Sequence, residues 1–297
     1  MSKTDILDRQ AHASARQYVG EFAWLTIIVG LALCASYVVT VVSALAGVLS
    51  LGFAVPLVAI LTYLNYTILH ESAHGSISGN RKSLHWINEA LGYMAAWILM
   101  IPLTAHRHEH MAHHRHTNDA ERDPDFHVGR MGHSIPAAAR ATLQACVAQF
   151  SYYANNRWSK NASRQNLYLC LEVAAALIPR LAALAAGYWL EGLALFVLAW
   201  LIGATILLYL FAYAVHRPHE QEGRYVNTST ILIPGRLHTP VTWFWMFQNY
   251  HSIHHLFPRV PFYRYRQLYQ ELEEVMAAKG APVYWLTLRA GRPEFSV

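Results

Sequence analysis

Two long apolar stretches divide the chain. No lysine or arginine occurs from Gln17 to Leu69, and only Arg180 interrupts the stretch from Leu167 to Val215. Every other basic residue lies in the blocks 1–16, 70–166 and 216–297. Crossing the bilayer core takes about 20 apolar residues per helix, so each stretch is long enough for two crossings. The first pair is expected at 21–46 and 47–69, turning around "SALAGVLSLG". The second is expected at 168–190 and 192–215, turning at Glu191–Gly192. Each pair makes a tight hairpin, which places all three basic blocks on one side, and excess lysine and arginine marks the cytoplasmic side. The expected fold is therefore an all-α integral membrane protein. Two transmembrane helical hairpins, four spans in all, carry a cytoplasmic, helical, histidine-rich cap built from 70–166 and 216–297. Both termini are expected in the cytoplasm (beneath the inner or plasma membrane, for a bacterial chain). With no internal repeat beyond the two hairpins and no low-complexity linker, 1–297 reads as a single domain.

Composition agrees. Charged residues make up 14% of the chain, well below the roughly 25% of a soluble domain. The net charge of +5 does not point to nucleic acid, because the basic residues flank apolar spans and anionic lipid headgroups account for them. A cleaved leader ending at Ala44-Leu45-Ala46 is disfavoured: the apolar run before it is ~20 residues, against roughly 7–15 in such a segment. Cys34, Cys146 and Cys170 are isolated and form neither a disulfide framework nor a metal-binding spacing. The sequon Asn161-Ala162-Ser163 falls in a cytoplasmic block and reads as chance. The run "WINEALGYMAAWILMIPL" at 86–103 reads as a half-buried helix, since Asn88 and Glu89 argue against a fifth crossing.

None of the 18 histidines lies within the four spans, yet four groups sit where those spans reach the basic side. "HESAH" contributes His70 and His74, which share a face if the second span continues one more turn, with Gly75 as a natural stop. "HRHEHMAHHRH" is expected to form a helix from Ala105 to about His116, capped by Thr104. Its His110, His113 and His114 fall within about 100° of arc, joined by His106, while His108 and His116 point elsewhere. "HRPH" contributes His216 and His219. "HSIHH" contributes His251, His254 and His255, on one face of a helix capped at Thr239-Pro240 and limited by Pro258.

This many imidazoles exceed the four ligands of one tetrahedral zinc site and suit two ions. H-E-x-x-H is present at 70–74, the signature of a zinc protease with glutamate as general base. That reading gives the second and fourth groups no role. A metal transporter places ionisable residues near the midplane of its spans, whereas here only Glu172 and Arg180 fall inside a span.

The order H-x-x-x-H, H-x-x-H-H and a late H-x-x-H-H, separated by paired apolar helices, resembles the integral-membrane fatty acid desaturase and hydroxylase superfamily over roughly Asn65 to Tyr269. The stretches "HHRHTNDAERDPD", "YAVHRPHE" and "QNYHSIHHLFPRVPFYRY" more closely resemble desaturase-type β-carotene hydroxylases. The resemblance implies two iron ions, with O2 as cosubstrate. It implies as ligands His70, His74, His110, His113, His114, His251, His254 and His255, plus either His216 or His219. His106 would be an extra or supporting group, and His108 and His116 would bond carboxylates or loops, with the acidic run Asp119 to Asp125 close in sequence.

The implied reaction is O2-dependent attack on a C–H bond of a long apolar lipid, giving an alcohol or an alkene. A carotenoid ring is the expected substrate and a fatty acyl chain the alternative, with "WFWMFQNYH" (243–251) either an interfacial aromatic belt or part of a substrate slot. No dinucleotide-binding glycine motif occurs, so electrons are expected from a separate ferredoxin-like carrier and its reductase. Arg107, Arg115, Arg130 and Arg157 are candidates to dock it.

Overall fold

The structure, a computed structural model, describes residues 3–160, 163–289 and 292–296; Asn161 and Ala162 of the sequon lie outside them. It is mostly helical. Four helices are long and apolar enough to cross a membrane: α2 (Trp24–Leu45), α3 (Leu51–His74), α7 (Ser163–Ala185) and α8 (Trp189–His216). The other helices are α1 (Lys3–Ala15), α4 (His85–Leu99), α5 (Leu103–His116), α6 (Ile135–Asn156), α9 (His238–Phe244), α10 (His251–Leu256) and α11 (Tyr265–Ala278).

The spans fall close to the expected positions, with two differences. Helix α3 runs on through His74 and ends where Gly75 turns left-handed at φ 67°. The final turn thereby carries His70 and His74 in helical register, as the one-turn extension requires. The link between α7 and α8 comes earlier than Glu191–Gly192, which lie inside the start of α8. Helix α2 packs on α3 through Cys34, Tyr37 and Val41 against Ala54, Val58 and Leu61. Gly203 lets α8 lie against α3: a Cβ there would sit 2.6 Å from the carbonyl oxygen of Ala59.

Helix α8 is not uniform. It is π-helical over Leu193–Leu198 and Leu208–Tyr213, and it ends in a 3-10 turn carrying His216. Helices α4 and α5 meet at 94°, joined through Met100–Pro102. Asn88, read from sequence as an obstacle to a crossing, is buried and donates its Nδ2 to the Ser72 carbonyl at 3.0 Å, pinning α4 along α3.

Two expectations for helix starts need correction. Helix α5 begins at Leu103, before Thr104, and its cap is the Glu172 carboxylate of α7, which accepts from the backbone N–H groups of Leu103 and Thr104 and from the Thr104 hydroxyl. The helix expected from Thr239 to Pro258 is broken into α9 and α10. Met246 and Phe247 adopt left-handed φ values of 48° and 60° between them, which strained backbone tolerates only when the surroundings fix it. They do so here: the Trp245 indole donates to the Leu210 carbonyl, and Tyr63 donates to that of Phe244.

A small three-stranded sheet was not foreseen. Strand β1 (Thr230–Leu232) pairs in parallel with β2 (Val283–Arg289), and β2 pairs antiparallel with β3 (Arg292–Ser296). Ile231 buries against Ala214, Val215 and Trp245, fixing the segment after His216. Helix α11 is amphipathic, and Leu268, Leu272 and Val275 pack toward Ala11 and Ala15 of α1. Ion pairs Lys279–Asp8 and Arg264–Glu21, each 2.9 Å, join the two ends of the chain.

Candidate metal centre

The four histidine groups converge. One cluster comprises His70 and His74 from α3, His110 and His114 from α5, and His254 from α10. A second comprises His113 from α5, His216 from α8 and His255 from α10. In each, one nitrogen per ring lies within 4.8 Å of all the others. The two clusters touch, since the His114 and His255 rings stack with centroids 4.1 Å apart. His251 stands between them, its ring 4.8 Å from both His216 and His255 and 5.1 Å from His254. His219 is not brought into either group; it stacks on Tyr213 instead.

Ring orientation is set from outside. His113 Nδ1 donates to Asp123 Oδ1 at 2.9 Å, and His216 Nδ1 donates to the Ala212 carbonyl at 2.6 Å. His251 Nδ1 bonds Gln248 Oε1 at 2.8 Å, and His254 Nδ1 meets the Tyr265 hydroxyl at 2.9 Å. Metal-bound imidazoles ordinarily have such partners. Asp123 is itself held by the backbone N–H groups of Asn118 and Asp125. The acidic loop therefore serves His113; His108 instead meets Gln165 at 3.1 Å.

These bonds decide what the facing nitrogens can hold. With Nδ1 protonated, neutral His113 and His216 each present a bare Nε2 lone pair, and the two atoms are 2.9 Å apart. His255 Nε2 lies 3.3 Å from that of His216. One proton cannot serve three converging acceptors; a cation can. In the larger cluster, His74–His110 and His114–His254 face each other through Nε2 atoms 2.9 Å apart. His70 is fully buried, and neither of its ring nitrogens has a hydrogen-bond partner. An orphaned buried imidazole of this kind is costly unless something else occupies its lone pair. An all-imidazole donor set suits iron, zinc, copper or nickel.

Burial keeps the rings available as ligands. It holds His110, His114, His251, His254 and His255 well below the ordinary imidazole range, and neighbouring histidines add to the effect. For His113 burial pulls downward most strongly of any one cause, but the Asp123 and Asp125 carboxylates together outweigh it and the net direction is up. Glu109, buried beside Asp125, is pushed well up by desolvation first and by that carboxylate second.

Glu71, the glutamate of H-E-x-x-H, is turned toward Thr26 and Tyr265 and is in neither cluster. It accepts from Thr26 at 3.2 Å and lies 3.5 Å from the Tyr265 hydroxyl. It is not placed as a general base for a metal-bound water. Glu172 and Arg180, the two ionisable residues foreseen inside a span, are bound to the ends of α5 and α4. Arg107, a candidate docking residue, is occupied by Glu89 at 2.9 Å.

A cavity of about 900 Å³ lies among α4, α6, α7 and α8, walled by Trp97, Phe150, Leu171 and Trp200. A smaller space of about 70 Å³ reaches His110, His113, His216 and His251. The two share Ile101, Ala145, Gln149, Leu207 and Leu208. The aromatic run 243–250 lines neither space. Trp245, Met246, Phe247 and Tyr250 are in the core, and Trp243 and Phe244 are exposed. The wall of the cavity was missed in the sequence because α4, α6, α7 and α8 supply it largely from ordinary apolar positions that no motif marks.

Four apolar span-length helices and histidines gathered from four chain segments define an integral membrane protein with histidine clusters able to hold metal. Residues 46–287 match the fatty acid desaturase family, and the chain belongs to it; it is an oxidoreductase. No curated protein matches the chain.

Proposed function

We propose that the chain is a non-haem diiron oxygenase that attacks a C–H bond of a long apolar lipid. The observation that supports it most is the junction of two touching imidazole clusters with an apolar cavity of about 900 Å³, a volume suited to a sizeable organic ligand. One iron would be held by His70, His74, His110, His114 and His254, the other by His113, His216 and His255, with His251 available to either. Of the pair His216 and His219, the geometry favours His216. Bound iron, with O2 and two electrons, supplies an oxidant able to remove hydrogen from an unactivated C–H bond. The chain's own work is to orient the rings through Asp123, Ala212, Gln248 and Tyr265, to exclude water, and to lay the substrate against the clusters. Two span helices wall the cavity, so a substrate dissolved in the bilayer needs no passage through water.

The proposed substrate is a carotenoid, hydroxylated on its ionone rings. The flanks "YAVHRPHE" and "NYHSIHHLFP" support this. The runner-up is a fatty acyl chain, desaturated or hydroxylated, which the description of the family favours. The proposed topology is one domain of two membrane hairpins with the histidine-rich cap and both termini in the cytoplasm. A separate ferredoxin-like carrier and its reductase supply electrons there. Expression in a host that makes β-carotene, with pigments and membrane lipids analysed together, tests the reading. Cryptoxanthin and zeaxanthin are expected. Unchanged pigments with new double bonds or hydroxyls in the acyl chains would reject the carotenoid in favour of the runner-up.

A further inference from the structure

Gln149 occupies the neck between the large cavity and the metal centre. On α6, Thr142, Ala145, Cys146, Gln149 and Phe150 line the cavity at i, i+3, i+4, i+7 and i+8, a single helical face. Among them Ala145 and Gln149 also line the small space that reaches the histidines. Gln149 is only 5% exposed, and its Oε1 has no hydrogen-bond partner. His106 lines the same small space, is 4% exposed, and its Nε2 is likewise without a partner. Two unpaired polar atoms on residues that line one small space need an explanation, because each lost hydrogen bond is costly when buried.

We propose that Gln149 and His106 form a recognition site for an alcohol at the reacting end of the lipid. A hydroxyl satisfies both: its O–H donates to Gln149 Oε1, and its oxygen accepts from His106 Nε2–H. A hydrocarbon end-group satisfies neither. The site therefore holds the alcohol that hydroxylation produces more tightly than the hydrocarbon end from which it forms. A pocket built to bond a hydroxyl discriminates against the analogue lacking it far better than a purely apolar wall does. This inference rests on the lipid-oxygenase reading above.

The test is binding without turnover. The whole protein in lipid nanodiscs, held without O2, is titrated with β-carotene and with its mono-alcohol cryptoxanthin, and quenching of tryptophan fluorescence reports occupancy, since Trp97 and Trp200 line the cavity. The ratio of the two dissociation constants is compared between the native chain, Gln149→Leu and Gln149→Met. Both variants keep the bulk of the side chain and remove an unsatisfied buried atom, so folding is not threatened. The native protein should prefer the alcohol, and each variant should lower that preference about tenfold, the worth of one hydrogen bond. A native protein without preference, or variants that keep it, overturns the proposal and leaves the oxygenase reading intact; an ordered water bridging Gln149 and His106 would give that result. Binding of neither probe overturns the carotenoid reading and this proposal together.

Discussion

Glu172 and Arg180, two helical turns apart on α7, cap opposite sides of the elbow between α4 and α5. The Glu172 carboxylate takes the free N–H groups at the start of α5, while Arg180 donates to the carbonyls of Trp97 (2.9 Å) and Ile98 (3.4 Å) at the end of α4. Each charge also suits the sign of the helix terminus it meets. Open backbone beside a membrane span survives only when such groups are satisfied within the protein. The elbow in turn aims α5, and with it three of the clustered histidines, His110, His113 and His114, at the centre.

Arg180→Met should lower stability by about 1–3 kcal/mol, because it removes the donor that the Trp97 and Ile98 carbonyls share. The readout is the thermal midpoint of the purified protein in detergent. An unchanged midpoint would mean that water or lipid replaces the guanidinium.

Two metal ions per chain, iron in the active form, are expected on elemental analysis of protein made with iron available. His254→Ala and His113→Ala, each removing a ring from a different cluster, should abolish activity while leaving the protein in the membrane. His12→Ala is the control, since His12 lies on the exposed side of α1, far along the chain from the clustered residues. A single ion in the native protein would refute the two-iron reading.

Asp123→Asn should weaken metal binding about 10–100-fold at the cluster holding His113, the usual cost of losing a carboxylate behind a ligating imidazole. Competition with a chelator measures it. Retention equal to that of the native protein would show that Asp123 only closes its loop.

Acid should destabilise the metal-free protein, and the sign follows from the histidines. Burial lowers His106 to about 3 and holds His110, His114 and His254 well below their ordinary value. Above about pH 6.5 native and unfolded chains are both neutral at these rings. Below it the unfolded chain takes up protons that the native chain refuses, so stability falls as pH drops, by about 1.4 kcal/mol per pH unit for each such ring. His113, raised by Asp123, acts in the opposite sense. Thermal midpoints of the metal-free protein between pH 7.5 and 5, pH values chosen to span about 6.5, should decline; a flat profile would contradict the burial of the rings.

Turnover should require an added electron carrier and reductase. Purified protein given NADPH alone should consume no O2 and form no product, because no phosphate-cradling glycine loop occurs in the sequence. Product formation with NADPH as sole reductant would overturn this.

Periodicity and charge placement were enough to locate the spans, because a bilayer imposes a minimum length that shows in the sequence. The histidine spacings likewise placed His110, His113 and His114 on one face. What local pattern could not supply was anything settled by distant partners. The cap of α5 is Glu172, whose role depends on α7 lying alongside. The break before His251 depends on Tyr63 and Leu210 receiving the reversed chain. The strand after Gly280 depends on β1, some fifty residues earlier. Gln149 carries no motif at all, and only the meeting of two cavities distinguishes it.

The π-helical stretch Leu208–Tyr213 has a further bearing on His216. A π turn is an α-helix holding one residue more than the regular winding needs, and such turns recur at functional sites. Because an α-helix advances about 100° per residue, that surplus residue fixes the compass bearing of everything after it. Excising one residue from the stretch would let the helix relax to regular winding and swing His216 about a quarter turn or more away from His113 and His255. The angular aim of this ligand is thus stored in the chain's length, independent of the chemistry of any neighbouring side chain.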